Sequence, residues 1–274
     1  MESDVSGVPV HCAAFGDGAP VLVLHGSGVD HREMAAVFEP MFGRLPGYRR
    51  IYPDLPGMGR TPAAATLVSA DDVLDHLLGF VDSIVGPAPF RLIGHSAGAY
   101  FARAMARRRP RQVAGLALVC PLGEIARDLP EHEVLVVSVD PSEHLDAEDA
   151  ASFREYFVVQ TQATLDRYLE AVAPSRGLAD EAALERIAQQ WQFRSTAADS
   201  QAYSGPTLIV AGRQDATVGY KGAWELLQLY PRATFAVLDQ AGHALPHEQP
   251  DLLEALVTEW LGRTVSQEPI PPVA

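Results

Sequence analysis

The sequence contains little cysteine and no long apolar run. Its 274 residues include two cysteines, Cys12 and Cys120, both in apolar, strand-like stretches. We therefore expect buried free thiols in a reducing compartment rather than a disulfide. No apolar stretch approaches the ~20 residues that a membrane-spanning helix requires, and the acidic first residues lack the basic-then-apolar order of a secretory signal. These absences predict a cytoplasmic protein with no membrane partner.

Basic residues are also in short supply. Lys and Arg number 21 against 35 Asp and Glu, which leaves a formal net charge of −14 at pH 7. Charge of this sign disfavours nucleic acid and anionic membrane surfaces, so neither is expected as a partner. The one basic run, Arg107 to Arg109, precedes Pro110 at the end of a predicted helix, where positive charge suits the helix dipole.

Apolar residues are plentiful, at 47% of the chain, and their patterns alternate between strands and helices. Continuous apolar runs predict buried parallel strands, and Ser69 is placed to cap the start of a helix. This alternation predicts an α/β fold with a doubly wound, mostly parallel sheet. The predicted strands are 20–24, 50–53, 90–94, 113–120, 207–211 and 234–238, and the predicted helices begin at Ser69, Ala97 and about Gln249.

The strand pattern is interrupted between residues 123 and 203 by mostly helical segments with acidic surfaces and scattered aromatic residues. We predict that residues 123–203 form a helical cap inserted into a core made of residues 1–122 and 204–264. Residues 265–274 form a Pro-containing tail. The aromatic residues of the cap are equally compatible with packing and with pocket walls.

A G-x-S-x-G sequence, Gly94-His95-Ser96-Ala97-Gly98, links a predicted strand to a predicted helix. In that context the motif indicates a serine on a sharp, strained turn, with its hydroxyl projecting above the sheet. The two glycines remove side chains that would clash where the strand and the helix approach each other. The helix N-terminus adds a positive dipole and free N–H groups near the hydroxyl. The alternative is an ordinary Gly-Ser turn in which Ser96 caps the helix.

With four further segments, this motif makes the chain similar to the α/β-hydrolase family. The segments are His25-Gly26-Ser27-Gly28, residues 54–59, residues 212–215 and Ala241-Gly242-His243, which follow the family's order of nucleophile, acid and histidine. The resemblance implies that Ser96 is the nucleophile, His243 the base and Asp215 the acid that orients it. It also implies that the backbone N–H groups of Ala97 and Ser27 form the oxyanion hole, and that no cofactor is needed.

Alternatives remain open for two of these assignments. Some members of the family carry the acid one strand earlier, which here indicates Glu124, and Asp215 could be an ordinary turn aspartate. His247 lies four residues after His243 and could suggest a metal pair. Pro246 between them disfavours a shared helical face, so no metal site is predicted.

Three more polar residues near these motifs are interpreted as structural. Asp54 precedes the nucleophile in the chain and is expected to stabilise a turn. His25 is expected to hydrogen-bond within the oxyanion loop, and His95 to pack under the turn that carries Ser96.

These residues predict a serine hydrolase that cleaves small to medium carboxylic esters, lactones or related acyl compounds through an acyl-enzyme. Ser96 excludes relatives with Asp at the elbow, such as haloalkane dehalogenases and epoxide hydrolases. Residues 54–59 resemble a loop of C–C bond hydrolases that act on ring-cleavage products. Those relatives usually carry Trp where this chain has Ala244, a position expected to shape the pocket. C–C hydrolysis and a slow-turnover ligand sensor are the alternatives.

Overall fold

The computed structural model describes residues 1–5, 7–123, 129–194 and 203–265. Glu124, the alternative acid, lies outside the described residues, as does all of the predicted tail beyond Val265. Within the described ranges the strands are β1 (Glu2–Val5), β2 (Val8–Phe15), β3 (Ala19–Leu24), β4 (Tyr48–Pro53), β5 (Phe90–His95), β6 (Val113–Val119), β7 (Val136–Val137), β8 (Val159–Gln160), β9 (Thr207–Gly212) and β10 (Ala233–Leu238). The α-helices are α1 (His31–Phe42), α2 (Ala70–Ile84), α3 (Ala97–Arg108), α4 (Ala147–Tyr156), α5 (Gln162–Arg167), α6 (Glu181–Ala188), α7 (Tyr220–Glu225), α8 (Leu245–Glu248) and α9 (Pro250–Val265).

The predicted doubly wound, mostly parallel sheet is confirmed. Eight strands lie in the order β1-β2-β4-β3-β5-β6-β9-β10. From β4 to β10 all neighbouring strands are parallel. β1 pairs antiparallel with β2, and β2 pairs antiparallel with β4. The hairpin of β1 and β2 extends the sheet at an edge that the apolar runs did not predict. The carboxyl ends of the parallel strands meet at one edge, which is where such sheets bind ligands.

Helices cover both faces of this sheet, so its central strands are buried. Apolar side chains of α2, α3 and α7 pack on one face, and those of α1 and α9 pack on the other. Every residue of β5 and β9 is buried as a result. Ser69 caps α2 by accepting a hydrogen bond from the Asp72 N–H, as its sequence context predicts. Cys12 and Cys120 are buried free cysteines, which confirms the expectation for both.

The described part of the cap lies between β6 and β9 in the chain and combines helices with a short sheet. β7 and β8 pair in parallel, which the sequence pattern did not predict, and the division of the chain into a core and a cap stays a prediction. A small core of its own contains Phe153, Phe157, Leu165 and Tyr168, which are therefore packing residues. Among the helices of the described ranges, none is long and apolar enough to cross a membrane.

Candidate active site

The sharp turn at Ser96 lies between β5 and α3, as the motif predicts. Ser96 has φ 52° and ψ −117°, a left-handed conformation that costs a non-glycine residue energy and is typical of functional sites. Its N–H donates to the Val119 carbonyl at 3.0 Å, which ties the turn to β6. Added side chains at Gly94 and Gly98 would overlap backbone atoms of neighbouring segments. The two glycines thus permit the close packing that holds the strained turn.

The structure brings Ser96, His243 and Asp215 together from three separate loops at the carboxyl edge of the sheet. His243 Nε2 lies 2.8 Å from Ser96 Oγ, and His243 Nδ1 lies 2.9 Å from Asp215 Oδ2. Both distances are those of hydrogen bonds. Burial of Asp215 opposes its ionisation, but the His243 imidazole and two backbone N–H groups hold its pKa below the ordinary value. An ionised Asp215 accepts a hydrogen bond from the Nδ1–H group, which leaves the Nε2 lone pair facing the serine hydroxyl.

The other oxygen of Asp215 is held by the backbone. Asp215 Oδ1 accepts hydrogen bonds of 2.9 Å from the N–H groups of Thr217 and Val218. These two donors fix the carboxylate so that Oδ2 alone is directed at His243. The acid is fully buried, so its orientation depends on these contacts and not on solvent.

The loop after β3 approaches the serine closely. A Cβ added at Gly26 would lie 3.4 Å from Ser96 Cβ, and Ser27, the next residue, lines two cavities together with Ser96. Ala97 is the first residue of α3. The structure therefore places both predicted oxyanion residues beside Ser96, and their role as donors remains a prediction.

Two of the residues interpreted as structural hold the loops around the site. His25 Nε2 accepts a hydrogen bond of 2.9 Å from the Leu55 N–H, and its Nδ1 lies 2.7 Å from the Gly26 carbonyl. Burial lowers the pKa of His25, so the neutral ring donates from Nδ1. Asp54 accepts from the N–H groups of His31 and Arg60 at 2.9 Å each, which is the turn-stabilising role expected of it.

A second carboxylate–imidazole arrangement lies beside the catalytic histidine, and the sequence analysis did not predict it. His95 Nδ1 lies 3.6 Å from Glu33 Oε2, while His95 Nε2 lies 3.1 Å from the His243 carbonyl oxygen. The Tyr156 hydroxyl donates to Glu33 Oε1 at 2.7 Å. Burial opposes ionisation of Glu33, yet the imidazoles of His95 and His247 hold its pKa well below the ordinary value. His95 thus packs under the turn as expected and also contacts the loop of the base.

Potential metal ligands form two groups within the described residues. His95, Cys120 and His243 form one group, and His11, His31 and Asp54 form the other; the ligand atoms in each lie within 4.8 Å of one another. Both ring nitrogens of His243 already face Ser96 and Asp215. His247 belongs to neither group: it is buried in α8, just before α9, with Nε2 3.9 Å from Glu33. The absence of a metal requirement stays a prediction.

Glu248 joins the cap to the loop that carries His243. Its Oε1 accepts from the N–H groups of Val158 and Val159 at 2.7 and 3.1 Å, and its Oε2 accepts from the Gly242 N–H at 2.7 Å. Burial raises the pKa of Glu248 to about 7. No sequence motif marks this residue, although it fixes the residue directly before the base.

Two cavities of opposite character meet at Ser96. The smaller, of about 430 Å³, has a mixed lining and is called the polar cavity after its charged and hydroxyl side chains; it shares Ser27 and Thr217 with the larger, mostly apolar cavity of about 530 Å³. His243 lines only the polar cavity, and Ala97 lines only the apolar one. The remaining residues of the polar cavity include Glu33, Ser152, Glu155, Tyr156 and Arg176. Those of the apolar cavity include Leu55, Met58, Val73, Phe101, Leu122, Leu184, Ile187 and Trp191, together with the acidic Glu181 and Glu185.

The expectation that the residue after His243 shapes the pocket is wrong. Ala244 is fully buried and packs with Phe153 and Phe157 in the core of the cap, and it lines neither of the two cavities. The residue after His243 therefore faces the cap core, because α8 begins directly after it. A larger residue there would disturb cap packing before it formed a pocket wall.

Comparisons with known proteins agree with the geometry. The model of the "Alpha/beta hydrolase family" matches residues 21–256. The relatives include monoacylglycerol lipase ABHD6 of Bos taurus, 23% identical over 90% of this chain and 77% of the relative. A 2-hydroxymuconate semialdehyde hydrolase of Pseudomonas sp. (strain CF600) is 28% identical over 93% of this chain and 91% of the relative. The crystal structure of an alpha/beta superfamily hydrolase from Oenococcus oeni PSU-1 aligns with a TM-score of 0.86 and 26% identity, over 97% of this chain and 100% of that one.

Proposed function

Because this chain belongs to the alpha/beta hydrolase family, we propose that it is a serine hydrolase of carboxylic esters, lactones or related acyl compounds. The observation that carries the proposal is the hydrogen-bonded line from Asp215 through His243 to the strained Ser96. Such a line activates a hydroxyl that is otherwise unreactive at neutral pH. Relatives that are named as a monoacylglycerol lipase and as a 2-hydroxymuconate semialdehyde hydrolase support hydrolytic chemistry.

In the proposed reaction, Ser96 Oγ attacks the acyl carbonyl carbon while His243 Nε2 takes the serine proton. The backbone N–H groups of Ala97 and Ser27 stabilise the negative oxygen of the tetrahedral intermediate. His243 then gives its proton to the leaving oxygen, and the acyl group remains on Ser96. A water molecule, deprotonated by the same imidazole, attacks the acyl carbon; the bond to Ser96 Oγ breaks, His243 returns the proton to Oγ, and the acyl group leaves as an acid. Asp215 keeps the imidazole in the required tautomer throughout.

C–C hydrolysis is the second candidate, because the relative with 28% identity is named for 2-hydroxymuconate semialdehyde. The loop of residues 54–59 supports this reading as well. The two candidates share the same three catalytic residues and differ in the leaving group. Only substrate comparison separates them.

The test is a panel of p-nitrophenyl esters and lactones of varied acyl length, assayed with wild type, Ser96→Ala and Ser83→Ala. Ser83 is an exposed serine in α2 that hydrogen-bonds to Ser3, so its substitution controls for serine loss in general. We expect steady turnover with wild type and Ser83→Ala, and a loss of at least about 10³-fold with Ser96→Ala. Near-wild-type turnover by Ser96→Ala would refute the assignment, and a single burst without turnover would favour a sensor.

A further inference from the structure

The imidazole of His95 connects the turn that carries Ser96 to the loop that carries the base. His95 is the last residue of β5 and directly precedes Ser96. Its Nε2 lies 3.1 Å from the His243 carbonyl oxygen, and the two imidazole rings lie 5.1 Å apart between their centroids. Ser96 and His243 are 147 residues apart in the chain. The contact of His95 therefore joins the two distant backbone segments whose relative position decides whether the serine and the base meet.

The His243 carbonyl lacks the donor that its own loop would ordinarily supply. In a tight turn, the N–H group three residues later commonly donates to such a carbonyl, but residue 246 is a proline and has no N–H group. The next N–H group, that of His247, donates to the Ala244 carbonyl at 2.8 Å. The His95 side chain takes the place of the missing backbone donor.

The neighbours of His95 require a proton on each of its ring nitrogens. Nε2 faces the His243 carbonyl oxygen, and Nδ1 faces Glu33 Oε2 at an ion-pair distance of 3.6 Å. Both of these oxygens are acceptors, so only the imidazolium form suits the two of them together. Burial opposes the charge on His95, but the Glu33 carboxylate raises its pKa. Glu33 thus keeps Nε2 of His95 a donor, much as Asp215 fixes the proton of His243.

Glu33 is itself held in place, which keeps the His95 ring from turning. The Tyr156 hydroxyl donates to Glu33 Oε1 at 2.7 Å, and His247 Nε2 lies 3.9 Å from the same oxygen. Glu33 and His95 are each only 1% exposed. Rotation of the His95 ring away from the His243 carbonyl would separate two buried charges, which is costly where water does not replace the lost contact.

Building on the proposed function, we propose that His95 is a positioning residue that sets the distance between His243 Nε2 and Ser96 Oγ, and that Glu33 acts through it. The hydrogen bond of 2.8 Å between those two atoms depends on where the loop of His243 lies. A shift of about 1 Å in a reacting group can cost about 10²-fold in rate. The effect falls on the reactivity of Ser96 and not on the affinity for substrate.

Two substitutions separate the hydrogen bond of His95 from the rest of the residue. In His95→Gln the side-chain amide can donate to the His243 carbonyl from the position of Nε2, whereas His95→Met has a similar length and no donor. Both remove the charge opposite Glu33. We expect Ser96 of His95→Met to react with a fluorophosphonate about tenfold more slowly than Ser96 of His95→Gln. On p-nitrophenyl esters kcat should differ likewise, with KM values within twofold of each other.

A neutral background protects this comparison, because loss of the imidazolium leaves a buried carboxylate without its cation. Each His95 variant is therefore also made with Glu33→Gln, and the difference between the Gln and Met variants should persist there. Glu33→Gln alone should slow the reaction of Ser96 about threefold or more, but have no effect in the His95→Met background, because Glu33 acts through His95. The control is His76→Met, which removes a buried imidazole in α2 and should leave both rates unchanged.

The outcomes distinguish positioning from structural support and from failure of the proposed function. Structural support alone would lower the thermal midpoints but leave the Gln and Met variants equally reactive. Equal reactivity in folded proteins, or a difference confined to KM, would overturn the role of His95 while the hydrolase stands. A further loss on adding Glu33→Gln to His95→Met would overturn the role of Glu33. If wild type reacts with the probe no faster than Ser96→Ala does, the proposed function itself fails.

Discussion

Replacement of Asp215 by Asn tests whether the hydrogen bonds from Asp215 through His243 to Ser96 are needed for catalysis. Asp215 Oδ1 accepts from two backbone N–H groups, those of Thr217 and Val218. An asparagine amide must therefore keep its oxygen on those donors and direct its NH₂ group at His243 Nδ1. The Nδ1 atom would then accept a hydrogen bond from that NH₂ group, and Nε2 would carry the single ring proton. In that tautomer the imidazole donates to Ser96 and cannot remove its proton.

The expected loss is large because the fold is retained while the base is disabled. Displaced tautomers in other Ser-His-Asp triads cost about 10⁴-fold in kcat, or about 5.5 kcal/mol of barrier. The two backbone hydrogen bonds to residue 215 survive the substitution, so the thermal midpoint should change little. The variant should lose rate and keep stability.

The assay compares kcat on one ester for wild type, Asp215→Asn and Asp239→Asn, with thermal unfolding of each. Asp239 follows β10 and binds the Gln214 side chain at 2.8 Å, so it is a matched control outside the proposed line and should stay within twofold of wild type. Glu124→Gln should also do little. A loss of less than tenfold with Asp215→Asn, or a larger loss with Glu124→Gln, would refute the assignment of the acid.

Three further predictions concern stability and reaction class. The pKa of Glu248 is about 7 in the folded protein, above its ordinary value. Its contribution to the free energy of unfolding is therefore complete below about pH 4.5 and is lost as the pH rises through 7. This loss amounts to about 3 kcal/mol at most. Between pH 5 and pH 7.5, the free energy of unfolding measured with denaturant should therefore fall less for Glu248→Gln than for wild type. Equal falls in the two proteins would contradict the raised pKa of Glu248. Gly98→Ala should destabilise the fold by about 3 kcal/mol or more, since its Cβ would overlap the Leu24 and His25 carbonyls; Gly262→Ala in α9, where the Cβ meets open space, is the control that should not. Simple esters should have a higher kcat/KM than vinylogous 1,5-diketones, and a tenfold diketone preference, about 1.4 kcal/mol of barrier, would establish C–C hydrolysis instead.

Local patterns were sufficient to predict the sheet and the position of the nucleophile. Buried parallel strands are continuous apolar runs, and the predicted bounds of the six core strands differ from the observed ones by at most two residues. The elbow could be predicted because the pattern that marks it, G-x-S-x-G between a strand and a helix, spans only five residues, although the atoms that crowd Gly98 belong to Leu24 and His25. In contrast, β1 alternates between exposed and buried positions at the sheet edge, and α1 contains Pro40, so neither shows a clear pattern.

The surroundings of the triad could not be predicted, because they depend on contacts between distant segments. Glu33 and Tyr156 are 123 residues apart, and Glu248 reaches residues of the cap about 90 positions away. A single buried glutamate in a helix has no local signature. For Ala244, in contrast, closeness in sequence was misleading. Its position next to His243 suggested that it lines the pocket, but α8 begins directly after it and Ala244 packs in the core of the cap.

Covalent labelling tests directly whether Ser96 is the nucleophile. Wild type and Ser96→Ala are treated with a fluorophosphonate, digested, and analysed by peptide mass spectrometry. We expect one stoichiometric adduct, on the peptide that contains Ser96, and none in the variant. An adduct on another residue, or equal labelling of Ser96→Ala, would contradict it.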